Sequence, residues 1–112
     1  MNIEKNLTLE EISFQIILHA GNARSSAMEA IQVAKAKQFD VAADKMKEAE
    51  NEINEAHHYQ TKLLQREASG EGENPTVLLI HAQDHLMNSL TVKELAQEII
   101  EIHQHNYEGE NK

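Results

Sequence analysis

Only one stretch of this chain is built to stop a helix. Ser69-Gly70-Glu71-Gly72-Glu73-Asn74-Pro75 holds two of the four glycines and the single proline. Elsewhere the sequence is rich in Ala, Glu, Lys, Gln and Leu, which are good helix formers, and no strand-like alternation interrupts them. With one hard break in 112 residues, the chain is confined to a few long helices. That length makes one domain, residues 1–112, with an ordered core expected over about residues 8–105. The fold class is all-α, an antiparallel three-helix bundle.

The first helix has a marked start. Thr8 serves as N-cap, Glu11 completes a capping box, and Leu7 with Ile12 makes a hydrophobic staple. Ile12, Ile16, Ala20, Ala23, Ala27, Ile31 and Ala34 follow at helical spacing. Gly21 falls inside this pattern, which resumes unchanged, so it points to close helix approach rather than a break. Lys37-Gln38-Phe39-Asp40 makes a short connection with Asp40 as the expected cap of the second helix. Ala42, Met46, Ala49, Ile53, Ala56, Gln60 and Leu63 then form a heptad seam with one polar member. The second helix should end near Ala68, with Gly70 as a left-handed cap. The third is expected from Asn74 (cap) and Pro75 (first turn) to about Asn106, with a frayed polar tail beyond Tyr107.

The third helix is apolar nearly all round. Val77, Leu78, Val92, Leu95 and Ile99 fall on one face, Leu79, Leu86 and Leu90 roughly opposite, and Ile80 and Met87 on a third side. A bundle helix with one wet face does not need so much apolar surface. Self-association with this helix at the centre accounts for it; a patch for another partner is the competing account.

Inside that helix sits a polar island, His81-Ala82-Gln83-Asp84-His85. At about 100° per residue, Asp84 lies about 60° to one side of His81 and His85 about 40° to the other, so the three share a face. Burying such groups is costly, so the island asks for a function. Imidazole is a good nucleophile toward phosphorus, and a phosphoryl carrier needs little beyond a reachable ring with neighbours that tolerate the added charge. His81 or His85 suits that role. The same residues also suit a metal-binding bundle using His81, Asp84 and His85, completed by another helix or subunit. A structural coiled coil is the third reading. Glu55-Ala56-His57-His58 contains one Glu-x-x-His, but di-iron bundles need two, so His57 and His58 are read as helix surface. No Gly-x-Ser-x-Gly and no phosphate-cradling glycine loop occur.

The 10 Lys and Arg against 19 Asp and Glu give a formal charge of −9, which opposes binding to nucleic-acid phosphates and favours basic protein partners. The absence of cysteine, of a secretory signal pattern and of any apolar run long enough for a bilayer leads to the expectation of a cytoplasmic protein.

Three stretches carry a resemblance. They are His19-Ala20-Gly21-Asn22-Ala23-Arg24-Ser25, continuing through Ala30 and Ala34 to Phe39; Glu55-Ala56-His57-His58-Tyr59-Gln60-Thr61 with Gln65-Arg66-Glu67-Ala68-Ser69-Gly70; and Leu79-Ile80-His81-Ala82-Gln83-Asp84-His85-Leu86-Met87. Together they resemble the enzyme IIA components of the lactose/cellobiose (including chitobiose) type in the bacterial sugar phosphotransferase system, from about Leu9 to about Ile102. Arg66 departs from the pattern but touches no catalytic role. The resemblance implies a homotrimer of three-helix protomers that takes a phosphoryl group from HPr and passes it to a cysteine of enzyme IIB, during uptake of a β-linked disaccharide through a membrane enzyme IIC. It implies that His81 is the phosphorylated residue. It also implies that Asp84 lies at the trimer axis, where three copies share a divalent cation such as Mg2+. Gln83 and His85 are then candidate supporting residues at the phosphoryl site; His19 could also line it, against the plainer reading of a partly buried helix histidine.

Overall fold

The computed structural model describes residues 7–111 and contains three α-helices: α1 (Leu9–Lys35), α2 (Phe39–Ala68) and α3 (Val77–Glu110). They pack as an elongated bundle of about 60 × 28 × 19 Å. Helix α1 is the spine. Its buried stripe Ile12, Ile16, Ala20 and Ala23 meets Ile53 and Ala56 of α2 and Ala82 and Leu86 of α3. Further along, Ala27, Ala30 and Ala34 meet Ala42, Met46 and Ala49 of α2 and Ala96 and Ile100 of α3. These two levels make α1 and α3 run the same way, with α2 antiparallel to both. The small side chains along α1 let both neighbours come close, while α2 and α3 touch each other far less. No helix among the described residues is long and apolar enough to cross a membrane.

Both ends of α2 follow from the same turn chemistry. At the end of α2, Gly70 has φ 84°, Glu71 N donates to Arg66 O at 2.8 Å, and Gly70 N donates to Glu67 O at 3.2 Å. This is the Schellman motif that the glycine foreshadowed. The end of α1 repeats it with a residue that pays no heed to propensity. Lys37 adopts φ 67°, with Gln38 N donating to Val33 O and Lys37 N to Ala34 O, both at 2.9 Å. A lysine there costs about 1–2 kcal/mol. Its ammonium stands 5.2 Å from the centroid of the Tyr107 ring, and that ring packs on Phe39 at 5.6 Å, which together hold the turn.

The start of α1 is as the sequence indicates: Thr8 accepts from Glu11 N at 3.1 Å, and Leu7 packs against the cluster containing Ile12. Three expected boundaries move. Helix α2 begins at Phe39, its cap position is Gln38 without a side-chain bond, and Asp40 lies in the first turn, where its charge still favours the helix dipole. Helix α3 begins at Val77 with Thr76 as cap, accepting from Leu79 N at 3.0 Å, so Asn74 and Pro75 belong to the connection. Its other end reaches Glu110 rather than Asn106, and the ordered core extends with it, because the packing of Tyr107 on Phe39 carries the helix past its apolar pattern. In α1, Ala30 is fully buried and Ile31 only partly.

Candidate functional site

The exposed side of α3 carries the polar island. The core side of the same helix is Ala82, Leu86, Ser89, Ala96 and Ile100, and residues displaced from it by a third of a turn or more face outward. His81 is exposed, and the ring of His85 stacks parallel to it, with centroids 6.0 Å apart and planes 4° apart. His85 is half-buried against α1: a Cβ at Gly21 would meet His85 Nε2 at 3.4 Å. The glycine thus makes the close approach that its position in the pattern suggests, and it makes it beside an island histidine. Among the described residues no carboxylate is bonded to the ring of His81. Its described contact is the face of His85, which leaves its edge open to solvent.

Asp84 is also exposed, and its Oδ2 accepts from Asn88 Nδ2 at 3.3 Å. Around it the surface is apolar. Val77 (84% exposed), Ile80, Leu95, Ile99 and Ile102 all face outward on α3. Phe14, Leu18 and Met28 do so on α1, within about 60° of Gly21 around that helix. The described chain therefore has a broad apolar face of the kind that marks an interface.

Gln83 is not beside His81. Two residues along a helix are about 200° apart, and Gln83 points instead across to α2, where Gln60 Nε2 donates to Gln83 Oε1 at 2.7 Å. Gln60 Oε1 in turn lies 3.0 Å from His57 Nδ1. His57 is half-buried and bonded rather than plain helix surface, whereas His58 is exposed. His19 is likewise apart from the island, on the α1–α2 seam. Its Nδ1 lies 2.6 Å from Glu52 Oε2, and its ring stacks on Tyr59 at 6.0 Å. The sequence contains no local signal for this pair, because its members are 33 residues apart.

The residues proposed for a metal-binding bundle do not converge. His81 and His85 lie face to face instead of aiming nitrogens at one point, and among the described residues no group of three or more His, Cys, Asp or Glu side chains is placed to hold an ion. That alternative finds no support in a single chain. What one chain offers is an open imidazole, a second ring stacked on it, and a lone carboxylate set in an apolar face.

Comparison with known proteins points the same way. The model of the lactose/cellobiose-specific IIA subunit family of the PTS system matches residues 11–104. The lichenan-specific phosphotransferase enzyme IIA component of Bacillus subtilis (strain 168) is 56% identical over 99 residues, which cover 88% of this chain and 90% of that protein. The N,N'-diacetylchitobiose-specific EIIA component of Escherichia coli (strain K12) is 43% identical over 97 residues, covering 86% and 83%. Among solved structures, the cellobiose-specific enzyme IIA from Bacillus anthracis superposes with a TM-score of 0.85 at 54% identity, over 92% of this chain and 95% of that one. The IIA(Chitobiose) complex with HPr from the Escherichia coli phosphotransferase system gives a TM-score of 0.79 at 38% identity, over 90% and 98%.

Proposed function

The chain belongs to the lactose/cellobiose-specific IIA family of the sugar phosphotransferase system, and from that premise we propose that it is a phosphohistidine relay with His81 as the carrier. The observation that carries the reading is the exposed ring of His81, stacked on His85. The donor is phosphorylated HPr, in keeping with the HPr complex of the chitobiose relative; the acceptor is a cysteine of enzyme IIB, and this cytoplasmic relay serves uptake of a β-linked disaccharide through a membrane enzyme IIC.

In the transfer, a neutral nitrogen of His81 attacks the phosphorus of the donor's phosphohistidine. A new N–P bond forms, the donor's N–P bond breaks, and its electron pair returns to the donor ring, which leaves neutral. His81 keeps the proton on its other nitrogen and becomes the phospho-imidazolium. Such a transition state is loose and is helped chiefly by positioning and charge. His85, stacked on the reacting ring, limits its rotation.

The working unit is a homotrimer with α3 at its centre, which covers the apolar face of α1 and α3. Asp84 turns toward the threefold axis. Three carboxylates there repel one another, and a Mg2+-like cation, which takes oxygen ligands, suits the donor set. The exposed Asp84, with one oxygen held by Asn88, fits that role. Bound there by the three Asp84 carboxylates, such a cation would offset their converging charges. Around α3, His81 lies about 60° to one side of Asp84 and Gln83 about 100° to the other. In a cyclic trimer the His81 flank of one copy therefore meets the Gln83 flank of the next.

Incubation with phosphoenolpyruvate, enzyme I and HPr, followed by mapping of the acid-labile phosphate, tests the assignment. The expected result is label on His81 and none on a folded His81→Gln protein. Label on His81→Gln would overturn it.

A further inference from the structure

Gln83 owes its orientation to a chain of hydrogen bonds that runs back into α2. His57 Nδ1 and Gln60 Oε1 are 3.0 Å apart, and Gln60 Nε2 donates to Gln83 Oε1 at 2.7 Å. Each link fixes the sense of the next. A donor on His57 holds the Gln60 oxygen, which leaves the Gln60 amide nitrogen to hold the Gln83 oxygen. The end of Gln83 available to a second partner is then its NH2 group, with two N–H donors. A phosphoryl group presents only acceptor oxygens. If Gln60 bonded Gln83 the other way round, Gln83 would present an oxygen and repel it.

We infer that Gln60 is a positioning residue for phosphoryl transfer, holding Gln83 so that it offers N–H donors to the phosphorylated His81 of the adjacent copy, with His57 setting the sense of the chain. This rests on the relay reading above. It assigns work to the one polar member of the α2 heptad seam, a place where an apolar residue would pack at least as well.

The test uses the full chain with HPr phosphorylated by phosphoenolpyruvate and enzyme I, and reads the rate of label arriving on His81 by rapid quench. Gln60→Glu offers only acceptor oxygens to Gln83 and forces its amide to turn round; the rate should fall about tenfold, the loss of one charge-assisted hydrogen bond. Gln60→Lys offers only donors and should stay within about twofold of the parent. Because Gln60 acts through Gln83, Gln60→Glu should have no further effect in a Gln83→Ala background. Melting temperature should not track these rates, as it would if Gln60 were merely structural. Should Gln60→Glu fold poorly, Gln60→Met leaves Gln83 unheld and should still slow transfer severalfold. Labelling of His81 at parental rates in Gln60→Glu or Gln60→Met, or an undiminished effect of Gln60→Glu in the Gln83→Ala background, would overturn the inference and leave the relay standing. Absence of label on His81 in the parent chain would remove both.

Discussion

The two seams along α1 are built differently. Toward α2, polar side chains clasp the helices together. His19 and Asn22 both reach Glu52 Oε2, Ser26 Oγ donates to Glu48, and Lys45 bridges Glu29 at 3.0 Å. The hydrogen bond to Glu29, with Glu48 beyond it, holds the Lys45 ammonium above its ordinary pKa. Toward α3 the contact is Ala20, Ala23 and Ala27 against Ala82, Leu86 and Ala96, and no side-chain hydrogen bond joins α1 to α3 among the described residues. The difference shows how one bundle can hold histidines for opposite purposes. His19 lies in the clasped seam, its Nδ1 committed to a carboxylate and its plane committed to Tyr59. His81 lies on the helix that meets α1 through close packing alone, and its contact among the described residues is the stacked ring of His85.

The sharpest way to break this contrast is to exchange the same side chain in both places. His81→Gln should abolish phosphoryl acceptance and leave the melting temperature nearly unchanged, since the ring is exposed. His19→Gln should keep phosphoryl acceptance and cost about 1.5–3 kcal/mol, the range for a hydrogen bond to a charged group. Labelling by phosphorylated HPr and thermal melting, run side by side, separate the two. A His19→Gln protein that melts like the parent but takes no label would reverse the assignment of roles.

The next effect concerns assembly. In the proposed trimer, Asp84→Leu would exchange repelling carboxylates for apolar contact, and such exchanges are often neutral or stabilising. The trimer of this variant should persist in a chelator that dissociates or weakens the parent trimer. Sedimentation with and without the chelator measures this. If both proteins are monomers in both conditions, the apolar face of α1 and α3 serves something other than a second copy.

How much of this is legible in the sequence divides along the same line. Features set by local rules are readable: the Thr8 cap, the Gly70 turn and the small-residue stripe of α1 each follow from neighbours within a turn or two. The polar island is readable too, because polar groups in an apolar helix stand out against its periodicity. Features decided by tertiary contact are not. Lys37 takes a conformation that favours glycine because Tyr107, far along the chain, comes to cover it. Thr76 outcompetes Asn74 as the cap because the loop places Thr76 Oγ1 3.0 Å from Leu79 N, and both residue types suit the position. The clasp between His19 and Glu52, and the chain from His57 to Gln83, join residues on different helices with no shared period to reveal them. The proposal of His81 as carrier rests on the resemblance and on its exposed ring; the seam chemistry around it shows only in the folded chain.

Two small changes in the α1–α3 seam sharpen the point that packing alone joins α3 to α1. Gly21 costs α1 about 0.5–1 kcal/mol relative to alanine. A Cβ there meets only the Nε2 of a side chain at 3.4 Å. Gly21→Ala should therefore stabilise the fold by about 0.5 kcal/mol, provided the His85 ring yields by a few tenths of an ångström. A loss of stability instead would mean that the ring is fixed in the seam, and that α3 sits more firmly on α1 than a contact without hydrogen bonds suggests.

The smallest effect lies one turn further on. Ser89 is fully buried on the core side of α3, and its hydroxyl has no hydrogen-bond partner. Buried without a partner, the oxygen gives up its hydration without a replacement. What the position requires is small size, and alanine supplies that without a polar atom to desolvate. Ser89→Ala should thus be neutral or stabilising by up to about 1 kcal/mol. Chemical denaturation reads that as a higher midpoint at unchanged slope. A loss of more than about 1 kcal/mol would imply that the hydroxyl has a partner after all, and the seam would then be polar on this side as well, which would erase the distinction between the two faces of α1.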